Sequence, residues 1–249
     1  MSRVTVDNLW MEYGDQVVLE RVSLDIPAGE FCALVGPSGC GKTTFLRLLL
    51  AMETPTRGTI RVDGKPLPPE PGPDRGVVFQ RYSAYPHLTV EENVILGLEF
   101  AAAPFWGKLW GQARRQAVDE VGHVLAAVGL DHARAKYPAE LSGGMQQRLS
   151  IAQALVRKPR ILLMDEPFGA LDPGTKAQMH DLVRALWRAE RMTVFMVTHD
   201  IKEGFGLGTR VLAFDKVRHD PDAPQAYGAT VTLNLPLDDK PERAEIVQP

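Results

Sequence analysis

The chain has 249 residues, of which 45% are hydrophobic and 24% are charged, as in a globular protein with one large domain, or one domain with a subdomain. Its 28 basic and 31 acidic residues give a formal net charge of −3. The chain as a whole therefore has no positive electrostatic potential that would attract nucleic acid, and nucleic acid is not expected as a partner. No apolar run approaches the roughly 18 to 20 residues that cross a bilayer, and the first residues do not resemble a secretion signal, so the chain is expected to stay in the cytoplasm.

The N-terminal third is predicted to be rich in β-strands. Short β-branched or apolar runs end at Gly, Pro or Asp in VTVDNLWMEYG, VVLERVSLDI, FCALVG and GTIRVDG. The segment PLPPEPGPDRG is too rich in proline for a helix, so we expect a surface loop that leads into the strand VVF. The only cysteines, Cys32 and Cys40, indicate neither a disulfide framework nor a metal site.

The hydrophobic period changes to that of helices between residues 91 and 157. Val118, Val121 and Leu125 recur at helical spacing, and a second helical run ends before Pro159. Strands and helices then alternate through RILLMDE, a long helix, MTVFMVTHD, a short helix, RVLAFD and ATVTLNL. Such alternation predicts an α/β fold with a largely parallel sheet between helices.

The stretch GPSGCGKTT follows a predicted buried strand and precedes a predicted helix. It matches the pattern G-x-x-x-x-G-K-[ST] of the phosphate-binding loop, in which backbone N–H groups and the helix N-terminus surround an anion. In this pattern the lysine reaches the β- and γ-phosphates and the next hydroxyl ligates Mg²⁺. The alternative is an ordinary glycine-rich turn. The residues predicted to bind nucleotide here are Gly36, Pro37, Ser38, Gly39, Cys40, Gly41, Lys42, Thr43 and Thr44.

If the loop binds a nucleotide, a second motif with acidic residues is expected. Mg²⁺ beside a triphosphate needs a carboxylate ligand, and hydrolysis needs a group that orients water. ILLMDEP supplies both, with Asp165 at the end of a buried strand as a Mg²⁺ ligand and Glu166 as the base that accepts the proton of the attacking water. The alternative is a strand that ends in a solvated Asp-Glu turn.

LSGGMQQR provides a second helix start suited to a phosphate. Ser142 is predicted to cap the helix, and Gly143 and Gly144 leave its N-terminus free of side chains. Together with the two motifs above, this stretch resembles the signature of the ATP-binding subunit of ABC transporters, and the similarity covers nearly the whole chain. The resemblance implies a P-loop cassette with a RecA-like, mostly parallel sheet, an N-terminal antiparallel β subdomain and a helical subdomain. We expect the core at about 1–88 and 157–249 and the helical subdomain at about 89–156.

The resemblance also implies roles for four further residues. Tyr13 resembles the aromatic residue that stacks on adenine, although by chemistry alone it is equally a core or turn tyrosine. Gln80 resembles the glutamine that senses Mg²⁺ and water, which makes it a third metal ligand beside Thr43 and Asp165. Asp172 resembles the aspartate that communicates between two cassettes, and it also suits a helix N-cap. His199 resembles the histidine that contacts the γ-phosphate. The other histidines, His180 among them, are interpreted as surface or packing residues.

Within the family, PGPDRGVVFQ is most similar to importer ATPases of the nitrate, taurine and aliphatic-sulfonate group. This implies MgATP as substrate and metal, a transmembrane permease and a second cassette as partners, and an extracytoplasmic solute-binding protein in the full complex. The cassette would then lie at the cytoplasmic face of the membrane. The alternative is a non-transport ABC ATPase with soluble partners, for example in iron–sulfur cluster assembly.

Two segments depart from the family pattern. AAAPFWGKLWGQ is longer and more aromatic than expected, and its apolar side chains would share one face of a helix that either approaches the permease or packs onto the helical insert. KEGFGLGTR replaces the usual alanine-and-aspartate pattern after the histidine, which could alter the next helix.

Overall fold

An antiparallel sheet is formed by strands from the N-terminal third of the chain. In the computed structural model, which describes residues 1–80, 83–102, 107–223 and 225–237, this sheet has the strand order β2-β1-β4-β5. Its strands are β1 (Val4–Tyr13), β2 (Gln16–Ile26), β4 (Arg57–Val62) and β5 (Lys65–Pro66). The turn between β1 and β2 pairs Tyr13 with Gln16, so Tyr13 ends the first strand at the hairpin tip.

The second sheet has the order β10-β9-β3-β8-β7-β6 and is parallel except for β10. Its strands are β3 (Phe31–Val35), β6 (Arg75–Val78), β7 (Ile161–Asp165), β8 (Thr193–Val197), β9 (Arg210–Asp215) and β10 (Thr230–Pro236). β3, β7 and β8 read as short, nearly continuous apolar runs because helices and the first sheet bury both of their faces. Parallel strands end at the same edge, so the loops after β3, β6, β7 and β8 meet there.

Helices cover both faces of this sheet. Between β6 and β7, all of the regular secondary structure in the described residues is helical. The helices are α1 (Lys42–Leu49), α2 (Val90–Ala102), α3 (Gly111–Ala127), α4 (Gly143–Leu155), α5 (Pro173–Glu190) and α6 (Ile201–Leu207). No helix of the described ranges is both long enough and apolar enough to cross a membrane.

The parallel sheet separates two apolar cores. Successive side chains of a strand point to opposite faces, so Phe195 packs with Phe45 of α1 while Met196 packs with the core formed by α2 to α5. Phe45 also contacts Phe214 of β9, with ring centroids 5.3 Å apart. Since α1 begins at the end of the glycine-rich loop, this buried aromatic contact fixes the position of the loop.

The segment between β9 and β10 ties the two sheets together. Arg218 donates to both carboxylate oxygens of the buried Glu20 of β2 at 3.0 and 2.6 Å, and its guanidinium lies over the ring of Tyr227. The backbone N–H of Val17 donates to Gln225 O at 3.0 Å. Strand β2 therefore has a fixed position beside the parallel sheet.

The predicted fold class is confirmed: a largely parallel sheet lies between helices, with an antiparallel sheet formed near the N-terminus. The aromatic insert is only partly within the described residues, since Phe105 and Trp106 lie outside them. Leu109 and Trp110 precede α3 in non-helical backbone, and Trp110 is 75% exposed. The expected helix is therefore absent at these two residues.

Candidate active site

The loop between β3 and α1 has a backbone that requires glycine at two positions. Gly36 has φ +141°, and a Cβ there would lie 2.1 Å from the carbonyl oxygen of Phe214. Gly41 has φ +84°, and a Cβ there would lie 2.7 Å from Leu19 Cδ2. At Gly36 the loop thus passes over β9 at a distance that only glycine permits, and at Gly41 the positive φ beside β2 favours glycine. It turns the chain from the end of β3 into the first turn of α1.

Lys42 closes this loop from the inside. Its side-chain nitrogen Nζ donates to the carbonyl oxygens of Gly36 at 2.8 Å and Pro37 at 2.7 Å, and the residue is only 4% exposed. The Cys40 sulfur lies 3.4 Å from the same nitrogen. The Lys42 ammonium and the N-terminus of α1 consequently concentrate positive charge at this loop.

Thr43 and Asp165 bring two oxygen ligands together. The Thr43 hydroxyl donates to Asp165 Oδ1 at 3.2 Å, which joins the start of α1 to the end of β7. Burial raises the pKa of Asp165, and the nearby Glu166 carboxylate raises it further, while the Thr43 hydrogen bond opposes both. A cation between these oxygens would relieve the cost of the buried negative charge.

Glu166 is held between two side chains. One of its carboxylate oxygens accepts a hydrogen bond from Gln80 Nε2 at 3.3 Å, and the other contacts His199 Nε2. The Glu166 backbone has φ +46°, a left-handed conformation that costs about 1–3 kcal/mol for a residue other than glycine. Its N–H donates to Val197 O at 3.1 Å, which holds this turn against the end of β8. The strained backbone directs the carboxylate to the edge where the strands end.

Two cavities meet at this carboxylate. One, of about 130 Å³, is lined by Ser38, Gly39, Gly41, Lys42, Thr43, Glu166 and His199. The other, of about 350 Å³, is lined by Gln80, Glu166, Gly169, Ala170, Lys176, Thr198, His199, Asp200 and Glu203. Glu166 and His199 line both. The first cavity has hydroxyl, ammonium and loop groups suited to an anion, and it adjoins a carboxylate that can accept a proton.

Tyr13 lies beside the start of α1. Its hydroxyl donates to Glu53 and lies within hydrogen-bonding reach of the half-buried Thr44. Burial and the hydrogen bond to Glu53 raise the pKa of Tyr13. The side chain is 44% exposed, so it is accessible to a ligand whose phosphates occupy the neighbouring loop.

The second predicted phosphate-binding helix start does not line either cavity. Ser142 caps α4, with its hydroxyl oxygen accepting from the Met145 N–H at 3.4 Å, and Ser142 and Gly143 are exposed. A Cβ on Gly144 would lie 2.5 Å from Thr175 Cγ2, so α4 begins in direct contact with the first turn of α5. Asp172 caps α5 by accepting from the Thr175 N–H at 3.0 Å, and these bonds lower the pKa of Asp172. Ser142, Gly143, Gly144 and Asp172 thus lie apart from the cavity formed by the phosphate loop.

The chain has many known relatives. The ABC transporter family pattern matches residues 19–169. The chain belongs to the ABC transporter family. This ABC cassette is 42% identical over 227 residues to a nitrate import ATP-binding protein of Synechocystis sp., covering 91% of the chain and 79% of that relative. It is 41% identical to a bicarbonate transport ATP-binding protein of Synechocystis sp. (94% and 81% covered) and 46% identical to a taurine import ATP-binding protein of Rhizobium johnstonii (80% and 73% covered).

Solved ABC cassettes share the fold. A dimeric bacterial ABC transporter cassette superimposes with a TM-score of 0.75 at 30% identity, covering 94% of this chain and 98% of that one. The same protein in a post-hydrolysis state with ADP and phosphate gives a TM-score of 0.74 at 30% identity and the same coverage. The chain described here is accordingly an ATP-binding ABC cassette, and its enzymatic activity is that of an ATPase.

The departure after His199 leaves a regular helix in the ABC cassette. Asp200 caps α6 by accepting from the Lys202 N–H at 2.9 Å. A Cβ on Gly204 would lie 3.2 Å from Val35 Cγ1 and 3.3 Å from the Cβ of Ala33, so α6 approaches β3 closely. Gly204 therefore allows the helix to approach the sheet closely and does not break the helix.

Sequence reasoning missed the polar groups behind His199. His180, interpreted from sequence as a surface or packing residue, lies with its Nε2 2.7 Å from Glu203 Oε1. Lys176 and Thr198 contact the same carboxylate. The one sequence signal was the spacing of Asp200 and Glu203, which is typical of a helix start and says nothing of the residues that the glutamate contacts.

Proposed function

We propose that this cassette powers a membrane importer for a small nitrogen- or sulfur-containing solute by hydrolysing MgATP between two cassettes that face head to tail. The observation that supports it best is the position of the Glu166 carboxylate, held by Gln80 and His199 at the rim of the cavity formed by the phosphate loop. A carboxylate in this setting can accept the proton of an attacking water.

The residues of the cavity fit a magnesium nucleotide. Thr43 and Asp165 offer hard oxygen ligands in mutual contact. Mg²⁺ takes few protein ligands beside phosphate oxygens and water, so a hydroxyl and a carboxylate are a suitable set. We assign the metal to Thr43, Asp165 and Gln80. When bound, MgATP supplies the scissile phosphoanhydride and a cation that neutralises phosphate charge.

The chain's own groups then have separate tasks. Lys42 and the loop from Gly36 to Thr44 bind the phosphates, and Tyr13 stacks on the base. Glu166 takes a proton from water at one carboxylate oxygen, while His199 and Gln80 orient the carboxylate and sense the γ-phosphate end of the cavity. Asp172 would report this state to the facing cassette.

The separation of the two anion-binding helix starts supports the head-to-tail arrangement. This second helix start lines neither cavity of its own chain. Its first residues, Ser142 and Gly143, are nevertheless exposed and small enough to let an anion approach the helix N-terminus. We infer that they complete the site of a second cassette, identical or related, so that ATP lies in the interface.

The importer role rests on the named relatives. The nitrate and taurine proteins suggest a small nitrogen- or sulfur-containing solute, and the bicarbonate protein extends the comparison to other small oxyanions. We propose that a permease holds the cassette at the cytoplasmic face of the membrane and that an extracytoplasmic binding protein delivers the solute. We further propose that residues 89–156 form the helical subdomain and that 1–88 and 157–249 form the core.

The chemistry is tested with Glu166→Gln, which keeps size and hydrogen bonding but removes the base. We expect ATP turnover to fall by roughly 10²- to 10⁴-fold while ATP binding persists. With Na⁺-ATP, this variant should accumulate as a dimer in light scattering. A Glu166→Gln protein that hydrolyses ATP at the normal rate would falsify the assigned base.

The interface is tested at Ser142 in the same Glu166→Gln background. Asp and Asn cap helices about as well as Ser, so both substitutions should leave stability unchanged. Only Ser142→Asp adds a negative charge beside the shared phosphate and should abolish the ATP-dependent dimer, whereas Ser142→Asn should retain it. Equal dimerisation of the two variants would contradict the head-to-tail site.

The importer role is tested by affinity purification of the chain from membranes of its native cell. A multispanning permease should co-purify, and solute-stimulated ATPase activity of that complex identifies the solute. Recovery of soluble partners alone would support the non-transport alternative.

A further inference from the structure

A buried carboxylate that has no part in the chemistry proposed above lines the same cavity as His199. Glu203, on α6, is 7% exposed. Its Oε1 lies 2.7 Å from His180 Nε2 and 3.0 Å from Lys176 Nζ, and its Oε2 accepts a hydrogen bond from the Thr198 hydroxyl. Both oxygens of the carboxylate are therefore bound to side chains from other elements.

These contacts join three elements. Lys176 and His180 lie one turn apart on α5, the helix that Asp172 caps, and Thr198 follows β8. Burial alone would raise the pKa of Glu203, but the hydrogen bonds from His180, Thr198 and Lys176 hold it below its ordinary value. The carboxylate is consequently ionised at neutral pH and attracts α5 toward the end of β8.

The contacts of Glu203 extend to the backbone beside His199 and to the backbone beside Glu166. Thr198 immediately precedes His199, and its hydroxyl oxygen accepts from the Asp200 N–H at 3.0 Å, so the residues on both sides of His199 are fixed. The His180 ring packs against Phe168, with ring centroids 5.1 Å apart. Phe168 is fully buried two residues after Glu166. One buried group thus restrains the backbone next to both proposed reacting side chains.

We propose that Glu203 is a positioning residue for ATP hydrolysis, which holds His199 against Glu166 through Thr198 and connects both to α5 through His180 and Lys176. The proposal rests on the roles proposed above for Glu166 and His199. Stability alone explains the cluster poorly, since a buried ion pair contributes little compared with apolar packing. Its geometry instead fixes the relative position of the two side chains that must act together, and a displacement of about 1 Å in such a pair can cost on the order of 100-fold in rate.

The test is Glu203→Gln in the full chain. An amide oxygen can still accept from His180 or Lys176, but the charge is lost, and the amide N–H₂ cannot accept the hydrogen bond that the Thr198 hydroxyl donates to Glu203. We expect kcat to fall by about 10- to 100-fold while the affinity for fluorescent ATP changes less than about threefold, because the phosphate loop is untouched. Wild-type kcat in a folded Glu203→Gln protein would overturn the proposal.

Glu99→Gln is the matched control. Glu99 is also a buried glutamate, 6% exposed, and it accepts from Arg114 and from the Leu109 N–H at 3.2 Å each. The same chemical change there should alter the unfolding midpoint without changing kcat. A parallel loss of kcat in both variants would show that the rate follows stability, which overturns a positioning role.

A second pair of variants keeps the test decisive if Glu203→Gln does not fold. Thr198→Val removes the hydroxyl with little change in shape, and Thr198→Ser restores it. We expect Thr198→Val to lower kcat and Thr198→Ser to retain most of it, whereas equal rates would overturn the proposal.

The positioning role and the proposed function can fail separately. Loss of turnover in Glu166→Gln with normal turnover in Glu203→Gln would overturn the positioning role of Glu203 and leave the proposed function intact. Normal turnover in Glu166→Gln would overturn both.

Discussion

The Thr43 hydroxyl and the Asp165 carboxylate lie 3.2 Å apart, although 122 residues separate them in the chain. The contact exists because β3 and β7 are parallel and end at the same edge, where α1 begins just beyond the glycine-rich loop. Burial raises the pKa of the Asp165 carboxyl, and the neighbouring Glu166 carboxylate raises it further.

Asp165→Asn should therefore stabilise the nucleotide-free chain at pH 7. Because the folded-state pKa of Asp165 is raised, the stability it contributes is fully present below the unfolded value of about 3.9 and is lost as pH rises through the folded value. Asparagine never ionises, so the gain should be present at pH 7 and disappear near pH 4. Urea unfolding at both pH values without Mg²⁺ measures it. Destabilisation at pH 7 would contradict the assigned cost of the buried charge.

Tyr13 should bind the base through its ring and not its hydroxyl. Tyr13→Phe loses the hydroxyl and its hydrogen bonds but keeps the ring, whereas Tyr13→Ala loses a stacking surface worth about 1–3 kcal/mol, or roughly 5- to 150-fold in ATP affinity. Titration with ATP and with inorganic triphosphate separates base from phosphate binding. The Ala variant should lose affinity for ATP alone, and an equal loss for triphosphate would assign Tyr13 to the loop structure instead.

Gly36→Ala and Gly39→Ala should differ sharply in stability. Both glycines have positive φ, but a Cβ on Gly39 meets nothing within 4 Å, whereas one on Gly36 would lie 2.1 Å from a backbone oxygen. We expect a loss of about 1–2 kcal/mol for Gly39→Ala and more than about 4 kcal/mol, or failure to fold, for Gly36→Ala. Denaturant unfolding compares them, and similar losses would mean that the loop moves freely away from β9.

Arg218→Ala should destabilise the chain more than Arg3→Ala does. Removing Arg218 leaves the buried Glu20 without its bidentate partner, so a buried carboxylate loses both of its hydrogen bonds from the arginine. Arg3 pairs with Asp25 on the surface, where solvent screens the two charges and such pairs contribute little to stability. The unfolding free energies of the two variants test the difference. Equal values would indicate that water solvates Glu20 once the arginine is gone.

The sequence correctly indicated those structural elements that a short stretch of residues specifies by itself. The loop from Gly36 to Thr44 and the buried strand before Asp165 each have a pattern that requires no knowledge of the rest of the fold, and parallel strand ends bring them together. The Glu203 cluster could not be found in this way, since His180 and Glu203 lie 23 residues apart on two helices whose packing the sequence does not state. The contact of Tyr13 with Glu53 was hidden for the same reason. The prediction of a helix in the aromatic insert is wrong at Leu109 and Trp110, because the helical spacing of apolar residues did not determine the backbone conformation there.

The close approach of α6 to β3 at Gly204 limits how segments of this family can be exchanged. An alanine at this position would place its methyl group 3.2 Å from Val35 and 3.3 Å from Ala33, which is tighter than ordinary contact. A chimera that carries a larger residue at this position would therefore require either that Val35 and Ala33 yield by a few tenths of an ångström or that α6 move outward, together with Glu203. Strand β3 and the segment after His199 are best exchanged together.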